Sequence, residues 1–476
     1  MASKKPNIIF IITDQQRFDT IAATGSAHMI TPNLDRLVRE GISFSRTFVT
    51  APSCAPSRAS LFTGVYPHTN GVLRNDDTWT WSWVQLLAEA GLWCANIGKM
   101  HTYPFERSFG FHERHVVENK DRAHPKLPVY IDNWDKALWA HGYEKPDRLS
   151  YRRRSDYAER LGAFAWELPE KMHPDNFVGD FACHWLSCYR RDNPFFLQVG
   201  FPGPHPPYDP TPEAIALYQN RDIPLPHIEK SDLESQPQVL KDLREEHIRT
   251  DHDAVVHLAD PTVEQLRRQR EYYCANVTMI DAQIGHLFRT LEEKGLADNT
   301  IIVFTSDHGD CLNDHGHSQK WTMYEESVRV PAVIWGPKYF AGDRVVDQLT
   351  SLMDLGPTIL ELAGVQAPGW MEARSLLGVI RHDGAGRRYV FAEHARDMIL
   401  NSTEFMTMIR DNRWKLVHFV DSEEGQLFDL ESDPAEKINL WGRPEFEAVR
   451  RRLIDEILKW RIESSIVSQG WRLKDS

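Results

Sequence analysis

Ser53-Cys54-Ala55-Pro56-Ser57-Arg58 sets a thiol close to a guanidinium in a segment that continues Ala59-Ser60-Leu61-Phe62-Thr63-Gly64. A thiolate beside a fixed cation can act as a nucleophile, although a lone cysteine more often fills a core as a small hydrophobe. The thiolate loop of cysteine phosphatases needs a longer stretch between Cys and Arg; the three intervening residues here are too few. Two further pairs, Asp14-Gln15 and Asp307-His308, combine carboxylates, one amide oxygen and one imidazole. Such an oxygen-dominated set suits a hard divalent cation, Ca²⁺, Mg²⁺ or Mn²⁺, and the single imidazole tilts it toward Mn²⁺. Any one of these residues alone reads better as a helix cap; two such pairs shift the reading to metal.

The pairs lie where strands should end. Four apolar runs, Ile8–Ile12, Trp93–Ile97, Phe195–Phe201 and Ile301–Thr305, read as buried parallel strands. Each leads directly into polar residues: Asp14-Gln15, Gly98-Lys99-Met100-His101, Gly203-Pro204-His205-Pro206 and Asp307-His308-Gly309-Asp310. Ligands of open α/β sheets bind outside the carboxyl ends of the strands, so segments remote in sequence can converge on one crevice. Thr31-Pro32 opens a helix that stops at Gly41, with Leu34, Leu37 and Val38 as its apolar stripe. A long helix is expected from Thr262 to Lys294 on the recurrence of Leu266, Tyr273, Val277, Ile280, Ile284, Leu287 and Leu291. Two aperiodic stretches, 112–174 and 224–261, read as insertions able to wall a substrate pocket. After a Gly/Arg/His-rich linker near 381–388 come strand-like Tyr389–Glu393, Met406–Arg410 and Trp414–Phe419, then a helix from Pro444 to Trp460. The division expected is residues 1–382, a catalytic α/β domain, and 383–476, a smaller α+β domain with a tail.

The segment around Cys54 resembles, over its full length, the signature of the sulfatases within the alkaline-phosphatase superfamily: Cys-x-Pro-Ser-Arg, then Leu-x-Thr-Gly. The similarity runs through Asn7–Gln15, Thr31–Phe44, Gly98–His101, Pro204–Tyr208, Thr305–Asp310, Lys320, Met323–Glu326 and Leu427–Leu440. The resemblance implies a large mixed sheet sandwiched by helices. It also implies that a formylglycine-generating enzyme converts Cys54 to Cα-formylglycine, whose hydrate is the nucleophile. One hydroxyl attacks sulfur; the second, once deprotonated, expels sulfate, which a thiol or serine could not do. By the same resemblance Asp14, Gln15, Cys54, Asp307 and His308 hold one divalent metal, Ca²⁺ or Mn²⁺, and Arg58 orients the hydrate. Lys99, His205 and Lys320 hold the sulfate, His205 and Lys320 serve the leaving alkoxide, and His101 is the base that breaks the hemiacetal. Asn75 matches a substrate-contact position of a related branch, though a turn asparagine explains it as well.

The sequence departs from the common sulfatase pattern at Gln15, where most members carry a second Asp. Asp-Gln resembles the phosphonate monoester and phosphodiester hydrolases, as does Lys415–Asp433, whereas Lys99-Met100-His101 resembles the sulfatases proper. The expected activity is an arylsulfatase-like sulfate monoester hydrolysis with promiscuous phosphonate monoester and phosphodiester turnover; the alternative makes the latter the main activity. A silent polyanion-binding protein is a third reading, opposed by the complete set of Cys54, Arg58, Lys99, His101, His205 and Lys320. His315 and His317 with Asp310 and Asp314 could form a second, zinc-type site, but that chemistry needs a Ser or Thr nucleophile.

The chain has 476 residues, long enough for two or three domains, and buries roughly three quarters of its unfolded surface. With 41% apolar and 26% charged residues it is an ordinary globular chain. Its net charge of −13 argues against nucleic acid or an anionic membrane as partner, while Arg58, Lys99 and Lys320 leave room for a locally positive pocket that takes a small anionic sulfate ester. Six cysteines without framework spacing point to reduced thiols and a cytoplasmic protein. The five-residue run Ile8–Ile12 is too short for a signal-peptide core or a membrane span. Thr78-Trp79-Thr80-Trp81-Ser82-Trp83 could wall the pocket mouth, with core packing favoured. Tyr151–Arg154 reads as a solvated basic face. A homo-oligomer is expected, the Trp471-bearing tail 466–476 packing on a neighbouring subunit as in the related hydrolases.

Overall fold

The computed structural model describes residues 5–118, 120, 130–382 and 384–472. The first four residues, 119 and 121–129 of the first insertion, 383 of the linker and 473–476 of the tail lie outside the described residues. Nine strands form one mixed sheet: β1 (Asn7–Asp14), β2 (Ile42–Phe48), β3 (Trp93–Gly98), β4 (Glu113–Val116), β5 (Phe195–Pro204), β6 (Thr300–Ser306), β7 (Arg329–Trp335), β8 (Arg344–Val346) and β9 (Thr350–Ser351). Their order is β4-β3-β5-β1-β6-β7-β2-β8, with β9 also on β2. The four runs expected to be strands are the parallel centre of this sheet, β3-β5-β1-β6.

β1 shows why a continuous apolar run was needed. Ile8, Phe10 and Ile12 enter one core and Ile9 and Ile11 the other, all of them fully buried. Side chains alternate across a strand, and a strand covered on both faces has no place for a polar residue until it ends. One face is covered by α1 (Pro32–Glu40), α3 (Pro174–Cys188) and α4 (Val263–Glu293); the other receives α2 (Cys54–Thr63). In α4 the Thr262 hydroxyl accepts from Gln265 N and the Gln265 side chain accepts from Thr262 N, a reciprocal cap. Thr31 does not cap α1 as its position suggests. Its hydroxyl is engaged with Asp35 and Ala22 N, and the carboxylate of Asp281, from α4, accepts from the backbone of Asn33 and Leu34 instead.

A second, antiparallel sheet follows: β10 (Val390–Ala395), β11 (Phe405–Arg410), β12 (Trp414–Phe419) and β13 (Gly425–Asp429), in that order. The fourth strand was not anticipated. α5 (Glu447–Val467) also runs a further two turns past Trp460, where Ser464 is buried and its hydroxyl pairs with His68. Trp79 and Trp83 belong to the core, as favoured from the sequence, the indole of Trp83 stacking on Phe62 at 5.3 Å; the aromatic expectation that changes is Trp471. Trp471 is buried against Trp370 and Trp81 of its own chain, at 5.1 and 5.8 Å, so this part of the tail closes on its own chain and does not reach for a neighbour. Tyr151 is buried as well, donating to Asp209, while Arg152 pairs with Asp251 and Arg154 with Asp156 and Glu167. That stretch is a paired surface rather than a free cationic face.

Candidate active site

Five strands deliver the site. β1, β3, β5 and β6 run parallel, and β2, antiparallel to β7 as β6 is, points the same way. Their carboxyl ends carry Asp14, Lys99, His205, Asp307 and His308, and from β2 a short loop leads to Cys54 at the first turn of α2. Every residue of α2 is buried, which fixes this helix rigidly under the edge of the sheet. Its first turn exposes backbone N–H groups and the positive end of the helix dipole to whatever negative charge sits at Cys54. Ser53 makes no side-chain cap; Asn75 accepts from Ala55 N at 3.0 Å and from the Ser53 hydroxyl at 3.2 Å. The structure therefore places Asn75 as a cap on the helix that carries Cys54, itself exposed at the rim.

Cys54 Sγ lies 3.1 Å from His308 Nε2, 3.1 Å from Lys320 Nζ and 3.7 Å from Asp14 Oδ1. One ligand atom each from Asp14, Cys54, Asp307 and His308 fall within 4.8 Å of one another, all buried. Arg58 braces the group from beneath, its Nε donating to Asp307 Oδ2 at 2.6 Å, Nη2 to Asp14 Oδ2 at 3.3 Å and Nη1 to the Lys99 carbonyl at 3.0 Å. Lys99 Nζ sits 2.5 Å from Asp14 Oδ2, and Lys320 Nζ donates to Gln15 Oε1 at 2.9 Å. Gln15 adopts a left-handed backbone, φ 69°, which lets its N–H reach Asp307 Oδ1 at 3.0 Å.

Cations outnumber anions in this pocket, and the proton affinities follow. Burial opposes the charge on Asp14, yet Lys99, His205, Arg58 and Lys320 outweigh it and hold the carboxyl well below its usual range. Burial would lower the proton affinity of Lys320, but Cys54, Asp253 and Asp14 raise it. His101 and His205 are pushed well below the ordinary imidazole range, first by burial and then by Lys99 for His101 and Lys320 for His205. The donor chemistry fits a hard divalent cation. Asp14 and Asp307 offer carboxylate oxygens, and His308 donates through Nδ1 to the Gly309 carbonyl at 2.9 Å, which leaves Nε2 as the ligating nitrogen. Gln15 Oε1 stands next to this group, shared with Lys320.

His101, in a left-handed turn with φ 57°, is anchored by its backbone N–H on Glu118 at 3.1 Å, and its ring Nδ1 is buried without a partner. The second-metal residues do not assemble. Asp314 is paired with Arg17 and Arg270 at 2.8 and 2.7 Å, His315 with Asp232 at 2.8 Å, and His317 bonds Gln236 at 3.0 Å. Asp310 instead accepts from Gln15 and Tyr208, both at 2.7 Å. The residues Glu118, Tyr208, Arg148 and Asp253, which surround the site, were not singled out from the sequence, and Asp310 was singled out only for a second metal site. Asp310 and Tyr208 fall inside the similar segments, whereas Arg148 and Asp253 lie in the aperiodic insertions and carry no local signal.

The sulfatase family profile matches residues 6–365, from the first strand beyond Lys320. The chain belongs to the sulfatase family. Within it, a profile of the N-sulphoglucosamine sulphohydrolase C-terminal region matches residues 313–463. An arylsulfatase of Clostridium perfringens is 31% identical, covering 95% of this chain and 94% of that one. The multifunctional alkaline phosphatase superfamily protein PehA of Trinickia caryophylli is 30% identical over 96% and 95%. Among solved structures, the phosphonate monoester hydrolase of Agrobacterium radiobacter superimposes with a TM-score of 0.81 at 24% identity, over 97% of this sulfatase and 96% of that chain. The last likeness establishes an alkaline-phosphatase-like fold.

Proposed function

We propose that this sulfatase hydrolyses sulfate monoesters, with arylsulfatase-like substrates first and phosphonate monoesters and phosphodiesters as side substrates. The observation that carries the reading is the placement of Cys54 at the start of α2, with Lys320 and His308 each 3.1 Å from Sγ. In the mature enzyme Cys54 is formylglycine, and its hydrate supplies one hydroxyl to attack sulfur and a second to release sulfate. Asp14, Gln15, Asp307, His308 and the residue at 54 would hold a divalent ion, Ca²⁺ or Mn²⁺, which when bound would supply Lewis-acid chemistry, favouring the ionised hydroxyl and polarising the ester. Arg58 keeps both carboxylates of that set in place. Lys99, Lys320 and His205 bind the transferred group's oxygens, where their charge counts most in a dry pocket. His205 gives a proton to the departing oxygen, and the half-buried ring of His101, whose proton affinity is held low by its surroundings and Lys99, is suited to take one from the second hydroxyl.

Relatives support the breadth of this reading: the Clostridium perfringens protein is an arylsulfatase, PehA is described as multifunctional, and a choline-sulfatase of Rhizobium meliloti is 30% identical over 93% of this chain. Gln15, neutral where a second Asp is common in the family, reduces the negative charge beside the metal and eases the approach of phosphoryl groups. We also propose maturation by a formylglycine-generating enzyme, division at residue 382 and a cytoplasmic location, supported by six cysteines that form no disulfide among the described residues. No helix among the described residues is long and apolar enough to cross a membrane. A homo-oligomer is supported by Leu458, Ile462 and Ile466, exposed at intervals of four on α5.

A rate panel of aryl sulfate, choline sulfate, sugar sulfates and phenyl phosphonate with Ca²⁺ or Mn²⁺ tests the ranking. Equal or greater efficiency on the phosphonate reverses it. Intact mass tests the nucleophile: CHO in place of CH₂SH at residue 54 is expected, and an unmodified thiol in active protein would refute it.

A further inference from the structure

We propose that Asp253, clamped by Arg148, is the positioning residue that keeps His205 competent as the acid for the leaving group. The proposal rests on the sulfate monoester reading above and goes beyond it. His205 Nδ1 donates to the carbonyl of Pro206 at 2.8 Å, which fixes the ring and turns Nε2 outward. There Nε2 meets Asp253 Oδ2 at 3.6 Å, while Asp253 Oδ1 is held by Arg148 Nη2 at 2.5 Å.

The loop that presents Asp253 is conformationally costly. Asp253 and Ala254 both lie in the left-handed region, φ 55° and 58°, which non-glycine residues adopt mainly where the surroundings impose it and often at functional sites. The surroundings do impose it here: Gln319, next to Lys320, donates through Nε2 to the carbonyl of His252 at 2.9 Å, tying the loop to the segment that carries the sulfate-binding lysine. Asp253 keeps 16% of its side chain exposed whereas His205 keeps 4%, so the carboxylate stands on the outer side of the imidazole, where an ester would enter.

A general acid must hold its proton until the transition state. Burial, Lys320 and Lys99 all drive the proton off His205; Asp253 and Asp14 draw it on. Asp14 is already engaged by Lys99 and Arg58, which leaves Asp253 as the carboxylate directed at Nε2. Burial opposes the charge on Asp253, yet Arg148, with His205, Lys320 and His252, outweighs it and holds the carboxyl well below its usual range, so Asp253 stays charged and does not take the proton itself. At 3.6 Å it attracts the Nε2 proton without locking it in a hydrogen bond. As the S–O bond breaks, the imidazolium form of His205, protonated on both nitrogens, passes its Nε2 proton to the ester oxygen; the neutral ring with Nδ1–H remains, and solvent returns the Nε2 proton.

The test is the dependence of rate on leaving group in the mature holoenzyme. Asp253→Asn is suited to it, because asparagine tolerates the left-handed backbone and the loop keeps its shape. On 4-nitrophenyl sulfate, whose phenoxide departs without help, the variant should lose about tenfold or less. On phenyl sulfate it should lose about 100-fold or more, in kcat rather than KM. Asp253→Glu should recover part of that loss, and adding Asp253→Asn to a His205→Asn enzyme should change nothing further. A uniform loss across the series would mean a merely structural role, and a raised KM with unchanged kcat would mean substrate recognition; either overturns the proposal. If the wild-type enzyme turns over phosphonate esters and no sulfate ester, the substrate reading fails, and the same leaving-group series in phosphonate esters decides the role of Asp253 separately.

Discussion

Gln15 donates through Nε2 to Oδ2 of Asp310 at 2.7 Å, so the amide beside the Asp14 carboxylate is tied to a buried acid on the neighbouring strand end. Asp310 Oδ2 also accepts from Tyr208 at 2.7 Å and Oδ1 from Leu312 N at 2.9 Å, so the carboxylate is fully used and buried. A carboxylate at residue 15 would bring two negative oxygens together at that point. A neutral amide with a donor is what this neighbour requires.

Gln15→Glu should therefore lower both thermal stability and kcat/KM, by about 2 kcal/mol or more in unfolding free energy, since a buried donor is replaced by a like charge. Adding Asp310→Asn should restore much of the loss, because the amide introduced there can donate where the native carboxylate accepts. A double-mutant cycle by urea denaturation and steady-state kinetics checks it.

Arg58→Ala leaves Asp14 and Asp307 facing each other with less positive charge between them. Removing one partner from a buried charged group costs about 3–5 kcal/mol, so the metal-free variant should unfold at markedly lower denaturant. Ca²⁺ or Mn²⁺ should recover part of this stability by supplying charge at the same place and by binding only the folded chain. Melting curves with chelator and with added metal give the comparison.

Thr262→Ala removes the reciprocal cap at the start of α4. The expected cost is about 0.5–2 kcal/mol with unchanged kcat, because Thr262 stands about three turns from Tyr273, through which the helix meets the site, its hydroxyl donating to the Gln15 carbonyl at 2.8 Å. Denaturation alongside steady-state rates separates the two effects.

Stability should also fall across mildly acid to neutral pH through Glu436. Burial, aided by Glu325 and against the pull of Lys415, pushes this carboxyl up to about 7 from an ordinary 4.5. A folded value above the unfolded one means the folded chain retains a proton that the unfolded chain releases. The contribution is thus complete below about pH 4.5 and is lost as pH rises through about 7. Glu436→Gln should flatten the pH dependence of the unfolding free energy between those limits.

How much was legible in the sequence depended on whether a residue's neighbours in the chain dictate its place. The four central strands were, because a strand buried on both faces must be a short unbroken apolar run, and its polar end then falls at the carboxyl edge. That logic placed Asp14, Lys99, His205 and Asp307. Cys54 and Arg58 rested on a resemblance. Asp253 was not legible: its position comes from a left-handed loop inside an aperiodic stretch, tied down by Gln319 far along the chain. The length of α5 escaped for a related reason, since Ser464 is buried only because it meets His68.

The central place of β1 has a consequence for dynamics. Its backbone is paired on both sides, with β5 and β6, and its side chains feed both cores. Amide protons of Ile9 to Ile12 should therefore exchange with solvent only when the whole chain opens, and Asp14, at the end of that strand, inherits the same protection. The enzyme keeps its reacting centre on the slowest-opening part of the molecule, so admission of substrate and departure of sulfate fall to the loops at the rim, those of Asn75 and Asp253 among them.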